Sequence, residues 1–308
     1  MSGLSSFEID LELASRTAAA IGIREAVADP ELPFAIADRL RADGVVLHLD
    51  HAAIAARRRA KSAAELAGIR RAQVAGHAGF RAAAGLLAQA TADGDRLTLD
   101  GELLTAEMVR EALREACRQA GAPAPPDVIV SSVWQGGGHE SGSGPLPAKL
   151  PIIVDLWPRD EASGCWADSM RTFVVGEVPD TVRTAERVVR ESLEAARAAV
   201  RPGVTGREVY GAAADVIEAA GFRTQRTEDG SVPDDGFRAS LGHGVGLAVH
   251  EEPAIGLAGH EPLLTGDVIT LEPGIWLPGL GEVCFEDLLL VTDDGSETLT
   301  IYPYELTP

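Results

Sequence analysis

The chain has 308 residues, 45% of them hydrophobic and 24% charged, which is enough for one large globular domain and a smaller one. It carries 47 acidic and 27 basic residues, and this net charge of −20 repels nucleic acid and anionic membrane surfaces. The start, MSGLSSFEIDLELAS, lacks the basic region of a signal peptide, and no run is long enough for a membrane span. Three cysteines without paired spacing fit reduced thiols. We therefore expect a cytoplasmic protein without nucleic-acid or membrane partners, and a homodimer stays open.

The first predicted elements lie in a short N-terminal segment, residues 1–60. Its stretch LPFAIADRLRADGVVLHLD predicts one amphipathic helix followed by a short strand. A segment of this length makes only a marginal core by itself. The larger region, residues 61–308, opens with a long helix from about Ala63 to Gln89, rich in Ala, Leu and Arg.

Two similar segments follow, one hundred residues apart in the sequence. The segments Thr105 to Gly121 and Thr205 to Gly221 each begin at a Thr suited to N-capping and end at a Gly suited to C-capping. Each is preceded by a helix and followed by strands. This pattern predicts an α+β fold with two duplicated halves, and a site at their junction would draw ligands from both.

Four carboxylates stand in β-rich stretches of these halves. In ITLEPGIWLPGLGEVCFEDLLLVT, Gly279 is the midpoint between Glu272 and Glu286, so a symmetric hairpin places the two acids face to face. In PIIVDLWPRDEASGCWADSMRTFVV, Asp155 and Asp168 flank a polar turn and are expected to lie nearly opposite each other. Burying an ionised carboxylate in an apolar strand costs on the order of several kcal/mol of folding free energy, as it does for other buried ions, unless the carboxylate is paired or binds a metal.

A histidine completes this set. In SLGHGVGLAVHEEP the three glycines disfavour a helix, so we interpret His243 as a metal ligand and His250 as an imidazole that faces the substrate or supports a ligand. His139, in SSVWQGGGHESGSGP, is a weaker candidate because lone loop histidines are usually solvated. A single strand carboxylate is more often a turn or salt-bridge residue. Four carboxylates and one imidazole, however, match the ligand demand of two divalent ions.

At this point the chain resembles a known family. The blocks VDLW…ADSMRTF, GHGVGLAVHEEP, LEPGIW and FEDLLLVT are similar to the signature of the Xaa-Pro aminopeptidase and prolidase group of metallopeptidases, from about Lys61 to the C-terminus. The resemblance implies the pita-bread fold of creatinase and methionine aminopeptidase. Residues 1–60 would then be the remnant of a larger N-terminal domain.

The resemblance also implies roles for individual residues. Two divalent ions, manganese or cobalt and less commonly zinc, would be held by five ligands: Asp155, Asp168, His243, Glu272 and Glu286. His139 and His250 would touch the substrate and the tetrahedral intermediate. The implied substrates are peptides with proline at the second position, from which an N-terminal residue is removed, and Xaa-Pro dipeptides.

Two positions near the ligands depart from the family pattern. Trp157 stands where a glycine is common, and Cys284 stands where an arginine is common. The loss of that cation removes a partner for a carboxylate or a substrate terminus. Trp157 and Trp276 are aromatic candidates for a proline pocket, although both also suit a core.

The mechanism that follows is a hypothesis about charges. Two dications share a water and lower its pKa, so that a bridging hydroxide acts as nucleophile. Glu272 takes the proton and passes it to the proline nitrogen, while His250 and His139 donate hydrogen bonds to the developing oxyanion. Two alternatives are a creatinase-like hydrolase of small C–N bonds without metal and a non-catalytic binding protein of the same fold. The retention of all five ligand positions counts against both.

Overall fold

The computed structural model describes residues 5–138, 140–227 and 231–308, and the chain divides into two compact units, Met1–Arg58 and Arg59–Pro308. In the first unit, two short parallel strands alternate with helices. The helix and strand predicted from LPFAIADRLRADGVVLHLD are both present. The elements in chain order are helix α1 (Ser6–Ala20), strand β1 (Glu25–Ala28), helix α2 (Phe34–Ala42), strand β2 (Val46–Leu49) and helix α3 (His51–Arg59).

The second unit contains two helix pairs. In three of the four helices a Ser or Thr side chain accepts a hydrogen bond from the backbone N–H three residues on, as N-capping residues do. Gly121 and Gly221, just after the second helix of each pair, have φ of 85° and 89°, which glycine adopts without strain. The helices are α4 (Ala63–Gln89), α5 (Ala106–Gln119), α6 (Asp180–Ala199) and α7 (Gly206–Ala219).

The strands of the first half form two three-stranded antiparallel sheets. The outer sheet has the order β3-β4-β5, and the sheet that carries Asp155 has the order β6-β7-β8. A 3-10 helix, Val133–Gln135, follows β6. The strands are β3 (Thr91–Asp93), β4 (Arg96–Leu99), β5 (Glu102–Leu103), β6 (Ile129–Ser131), β7 (Ile152–Leu156) and β8 (Ser169–Phe173).

The strands of the second half form a five-stranded sheet and a two-stranded ribbon. The sheet has the order β10-β9-β11-β14-β15, and the ribbon pairs β12 with β13. The strands are β9 (Gly242–Gly244), β10 (Glu251–Ile255), β11 (Val268–Leu271), β12 (Gly274–Leu277), β13 (Gly281–Cys284), β14 (Asp287–Val291) and β15 (Ser296–Thr298).

Each half packs its helix pair against its own sheet. One apolar cluster joins α4 and α5 to β6 and β7, and another joins α6 and α7 to β11 through β14. The two sheets meet where Met170 pairs with Glu286 and the Glu286 N–H donates to the Met170 carbonyl at 3.0 Å. This arrangement is the predicted duplicated α+β fold. We call the junction between the two halves the seam, and the four carboxylates predicted as metal ligands lie at this seam.

The cysteines and the helices are relevant to two further predictions, the reduced thiols and the lack of a membrane span. Cys117, Cys165 and Cys284 are all buried, and none forms a disulfide. In the described parts of the chain, no helix combines the length and apolar character that crossing a bilayer requires.

Candidate metal centre

Glu272 and Glu286 take facing positions across the hairpin. The register pairs Leu271 with Asp287 on one side and Gly274 with Cys284 on the other, and the same register places Glu272 opposite Glu286. Gly279, at the predicted midpoint, has φ of 76° and lies in the turn. The hairpin therefore has the symmetry that its sequence predicts.

Asp155 and Asp168 are offset from each other. Asp155, on β7, pairs with Met170 of β8, while Asp168 stands one residue before β8 begins. The two acids are therefore diagonal neighbours on one face of the sheet and do not lie nearly opposite each other as the turn suggests. The bridge between Arg159 and Trp166 continues the register of β7 and β8, so the hairpin is centred between Ala162 and Ser163 and not midway between the two aspartates.

One row of paired residues crosses the seam between the halves. Ile129 pairs with Asp155, Asp155 with Met170, and Met170 with Glu286, which faces Glu272. Residues paired directly across antiparallel strands point to the same side of a sheet. The two halves therefore present their acids on one continuous surface.

His243 reaches this surface from β9. Its Nε2 atom lies 3.7 Å from Asp168 Oδ2 and 3.7 Å from Glu272 Oε1. Its Nδ1 lies 3.0 Å from the Gly244 carbonyl, and donation there directs the lone pair of Nε2 toward the acids. Gly242 permits this approach, since a Cβ at Gly242 would stand 2.2 Å from the Thr270 carbonyl oxygen.

The second histidine lies beside the first. The rings of His243 and His250 are 4.2 Å apart and inclined at 52°. His250 is exposed, whereas the neighbouring Glu251 forms a buried ion pair with Lys61. The remaining histidine candidate, His139, lies outside the described residues.

Burial and mutual repulsion shift the pKa of all four carboxylates upward. Burial raises the pKa of Asp155 to about 7. Burial, and then the charge of Asp155, raise the pKa of Glu272 to about 8. The pKa values of Asp168 and Glu286 lie well above the usual range, mainly because of burial and then because of neighbouring acids. Without a counterion, the ionised forms are strongly disfavoured here.

The donor atoms fit a divalent cation. The buried Oδ1 atoms of Asp155 and Asp168 have no hydrogen-bond partner among the described residues. Ligand atoms of Asp168, His243 and Glu286 all lie within 4.8 Å of one another. Buried oxygen atoms without donors, next to an imidazole nitrogen, are what a bound dication would satisfy.

A cavity of about 390 Å³ opens onto these acids. Trp157 contributes to its wall, together with Ile129 and Val249. Among the described residues that line the cavity, none is Lys or Arg. The cavity therefore combines an acidic floor with an apolar side.

A buried ion pair behind the site did not emerge from the sequence motifs. Arg171 Nη2 donates to Asp287 Oδ1 at 2.9 Å, and Arg171 Nη1 donates to the Glu286 carbonyl at 2.7 Å. One signal for it was present. Glu286 and Asp287 are adjacent acids in an apolar strand, so they point to opposite faces and the second acid needs a partner of its own.

The family model that matches this chain is that of metallopeptidase family M24, over residues 67–293. The chain therefore belongs to this family of metallopeptidases. Membership implies divalent metal ions, and it confirms the expected prolidase and aminopeptidase group and its pita-bread fold. Which metal is bound stays a prediction.

Relatives with assigned names match only part of their own length. A probable dipeptidase PepE of Mycobacterium tuberculosis is 36% identical over 155 residues, which are 50% of this chain and 38% of that protein. An Xaa-Pro dipeptidase of Pyrococcus furiosus is 39% identical over 140 residues, or 46% of this chain and 37% of that protein. The chain thus matches well under half of either relative.

Similar solved structures extend over more of the chain. The prolidase from Pyrococcus horikoshii OT3 superposes with a TM-score of 0.76 and 26% identity, covering 95% of this chain and 78% of that one. The X-Pro aminopeptidase from Thermotoga maritima MSB8 has a TM-score of 0.78 at 23% identity, covers 99% of this chain and 80% of that one, and shows the shared fold.

Proposed function

We propose that the protein is a metal-dependent exopeptidase that hydrolyses the peptide bond between an N-terminal residue and proline, as an Xaa-Pro aminopeptidase or dipeptidase. The observation that carries the proposal is the row of buried acids at the seam of a metallopeptidase fold, with His243 Nε2 at 3.7 Å from two of them. The similar proteins named Xaa-Pro dipeptidase support the choice of substrate.

In this proposal two divalent ions are held by Asp155, Asp168, His243, Glu272 and Glu286. Manganese or cobalt suits such an oxygen-rich set with one imidazole, and zinc is the further candidate. Bound ions of this kind polarise a substrate carbonyl and lower the pKa of water. The unpartnered Oδ1 atoms of the two aspartates support the assignment.

The side chains around the metals position the substrate and move the proton. Glu272, on the surface that carries the other acids, would take a proton from the attacking water and pass it to the departing proline nitrogen. His250, exposed beside His243, donates a hydrogen bond to the oxygen that gains charge, with His139 as its proposed companion.

Proline fits the apolar side of the cavity. A proline after the scissile bond has no amide N–H, so the wall around it needs no acceptor. Trp157, Ile129 and Val249 offer such a wall. They support selection of proline over smaller residues.

The remaining parts of the proposal concern the location, the partners and the domains of the protein. Three buried free cysteines support a cytoplasmic location. The net charge of −20 supports peptide substrates and neither nucleic acid nor a membrane as partner. We include a homodimer among the proposed states of the protein. We take residues 1–60 as the counterpart of part of the family's N-terminal domain and residues 61–308 as the catalytic domain.

The test combines metal exchange with a substrate panel. Chelated protein should be inactive, and Mn²⁺ or Co²⁺ should restore cleavage of Xaa-Pro peptides far above Xaa-Ala and Met-Ala peptides. Full activity in a verified metal-free preparation would contradict the metal centre. Preference for Met-Ala peptides, or hydrolysis of creatine alone, would contradict the substrate.

A further inference from the structure

A buried ion pair lies beneath the loop between β9 and β10. Lys61 Nζ pairs with Glu251 Oε1, and the two side chains are only 2% and 4% exposed. Lysine and glutamate side chains are almost never buried to this extent unless they are paired, because each charge loses its hydration. Each partner therefore stabilises the other in place, and the pair connects two segments that are 190 positions apart in the chain.

The loop wraps around this ion pair. We call residues 245–250, which connect β9 to β10, the 245–250 loop. A Cβ at Gly246 would stand 2.5 Å from Glu251 Oε1 and 2.9 Å from Lys61 Cε, so only glycine leaves room for the pair at this position. The other carboxylate oxygen of Glu251 accepts a hydrogen bond from the Ala248 N–H at 3.5 Å, and the Gly246 N–H donates to the Ala248 carbonyl at 3.0 Å. The turn of the loop is thus built on Glu251.

The ion pair and one backbone hydrogen bond tie the 245–250 loop to neighbouring elements. Lys61 directly precedes Ser62, which caps the start of α4. The Trp166 N–H donates to the Gly246 carbonyl at 2.8 Å, and Trp166 stands two residues before Asp168. The loop is therefore held from α4 on one side and from the segment that carries Asp168 on the other.

The 245–250 loop forms one side of the cavity at the acids. Val249 and His250 line that cavity, and the ring of His250 lies 4.2 Å from the ring of His243. His250 is exposed, whereas the side chain of the next residue, Glu251, is buried in the ion pair. Neighbouring residues of an extended chain point to opposite sides, so a Glu251 side chain that is anchored inward directs His250 outward to the cavity.

We propose that Lys61 and Glu251 are positioning residues that hold the His250 imidazole at the cavity, where it meets the substrate oxygen that gains charge. The proposal rests on the proposed function, in which His250 donates a hydrogen bond to that oxygen. A misplacement of about 1 Å in such a group can lower a rate by about 10²-fold. The ion pair therefore affects turnover through His250, in addition to its effect on stability.

The first experiment is a double-mutant cycle on metal-loaded enzyme with an Ala-Pro peptide as substrate. Lys61→Met keeps an unbranched side chain and removes the charge. It should lower kcat by about 10-fold, with KM and metal content nearly unchanged, because the oxyanion donor is misplaced and the metal ligands are not. In a His250→Ala background the same substitution should change kcat by less than about threefold. An unchanged kcat in the native background, or an equal loss in both backgrounds, would overturn the proposal.

The matched control is Arg59→Met, which removes another buried ion pair. Arg59 pairs with Asp267, their side chains are 9% and 0% exposed, and neither is among the described residues that line the cavity. Arg59→Met should lower the melting temperature as Lys61→Met does and leave kcat within about threefold of the native value. An equal loss of kcat in the control would count against a role through His250. Glu251→Gln, which keeps the shape of the side chain and removes its charge, passes through the same cycle and replaces Lys61→Met if that variant does not fold.

Amide hydrogen exchange tests the anchoring of the loop without any substrate. In metal-loaded protein, Lys61→Met should speed the exchange of amides in residues 245–250 by about 10-fold relative to the rest of the chain, whereas Arg59→Met should not. Unchanged exchange in this loop would overturn the positioning role. If the native enzyme cleaves no Xaa-Pro peptide, the proposed function fails, and the exchange measurement alone then decides whether the ion pair holds the loop.

Discussion

Arg171 and Asp287 form an ion pair whose side chains are 1% and 0% exposed, and it lies directly behind Glu286. Arg171 also donates to the carbonyls of Tyr302 and Pro303, at 2.7 and 2.9 Å, while the other Asp287 oxygen accepts from Arg197 at 2.6 Å. The pair thus connects the strand after Asp168 to the strand that begins after Glu286. The Arg171–Asp287 pair therefore helps to fix the position of Asp168 relative to Glu286.

Removing one partner of this pair should be costly. Asp287→Asn leaves a buried guanidinium without its counterion, which typically costs about 3–5 kcal/mol of unfolding free energy. Urea unfolding of metal-free protein measures this loss. Glu191→Gln, which breaks the exposed pair of Arg187 and Glu191 on α6, should cost less than about 1 kcal/mol. Similar losses for the two variants would contradict a special role of the buried pair.

The two histidines should separate metal binding from turnover. His243→Ala removes the Nε2 atom that faces Asp168 and Glu272, so metal content and activity should fall together. His250→Ala should keep most of the metal and lose turnover by about 10²- to 10³-fold, as for other donors to a developing oxyanion. Elemental analysis and kcat on the same preparations decide the matter. Equal metal retention in both variants would mean that the two roles are wrongly assigned.

Metal-free protein should become less stable as pH rises. Burial raises the pKa of Asp155 and Glu272 to about 7 and about 8, above their ordinary values of 3.8 and 4.5. Between those limits the folded state holds more protons than the unfolded state, so the unfolding free energy falls with rising pH. The melting temperature after chelation should therefore decrease between pH 5 and pH 8.

Two comparisons make the pH prediction specific. Asp155→Asn removes one of the carboxyl groups whose pKa is raised and should therefore flatten the slope. Metal-loaded protein should show the opposite trend, because ligation requires ionised carboxylates and strengthens as they lose protons. A metal-free melting temperature that is constant over this range would show that the acids are not protonated as burial requires.

Trp157 should contribute to the choice of proline. Trp157→Ala removes apolar wall from the cavity, so kcat/KM for Xaa-Pro should fall by about 10-fold while Xaa-Ala changes little, a range typical of lost apolar contact in a pocket. Trp166→Ala is the matched control, since Trp166 lies on the same hairpin beneath Arg159 and does not line this cavity. An equal loss of kcat/KM for both substrates would mean that Trp157 stabilises the core and does not select proline.

Sequence patterns predicted the parts of the site that depend on local geometry. The facing positions of Glu272 and Glu286 follow from a nearly symmetric hairpin with a turn glycine at its centre. The long helix was predicted from its Ala-, Leu- and Arg-rich composition with the bounds that are observed, Ala63–Gln89, and the structure shows that Ser62 and Glu65 form a capping box at its start.

Features that depend on distant parts of the chain were not predictable in this way. Asp155 and Asp168 are offset because the register of the hairpin pairs Asp155 with Met170, and the spacing of the two acids alone does not reveal this register. Arg171 meets Asp287 from 116 positions away, and Arg238 meets Trp276 because an isolated bridge joins Gly236 to Trp276. Such pairings arise when the sheets assemble.

The bridge between Met170 and Glu286 brings together ligands that come from two separate segments of the chain. The two aspartates come before the loop at 174–179, and His243 with both glutamates comes after it. If the chain were cut in that loop, neither fragment alone would hold a full ligand set. Metal uptake would then report reassembly of the fragments, and the cleaved protein would serve as a two-piece sensor whose signal depends on both pieces being present.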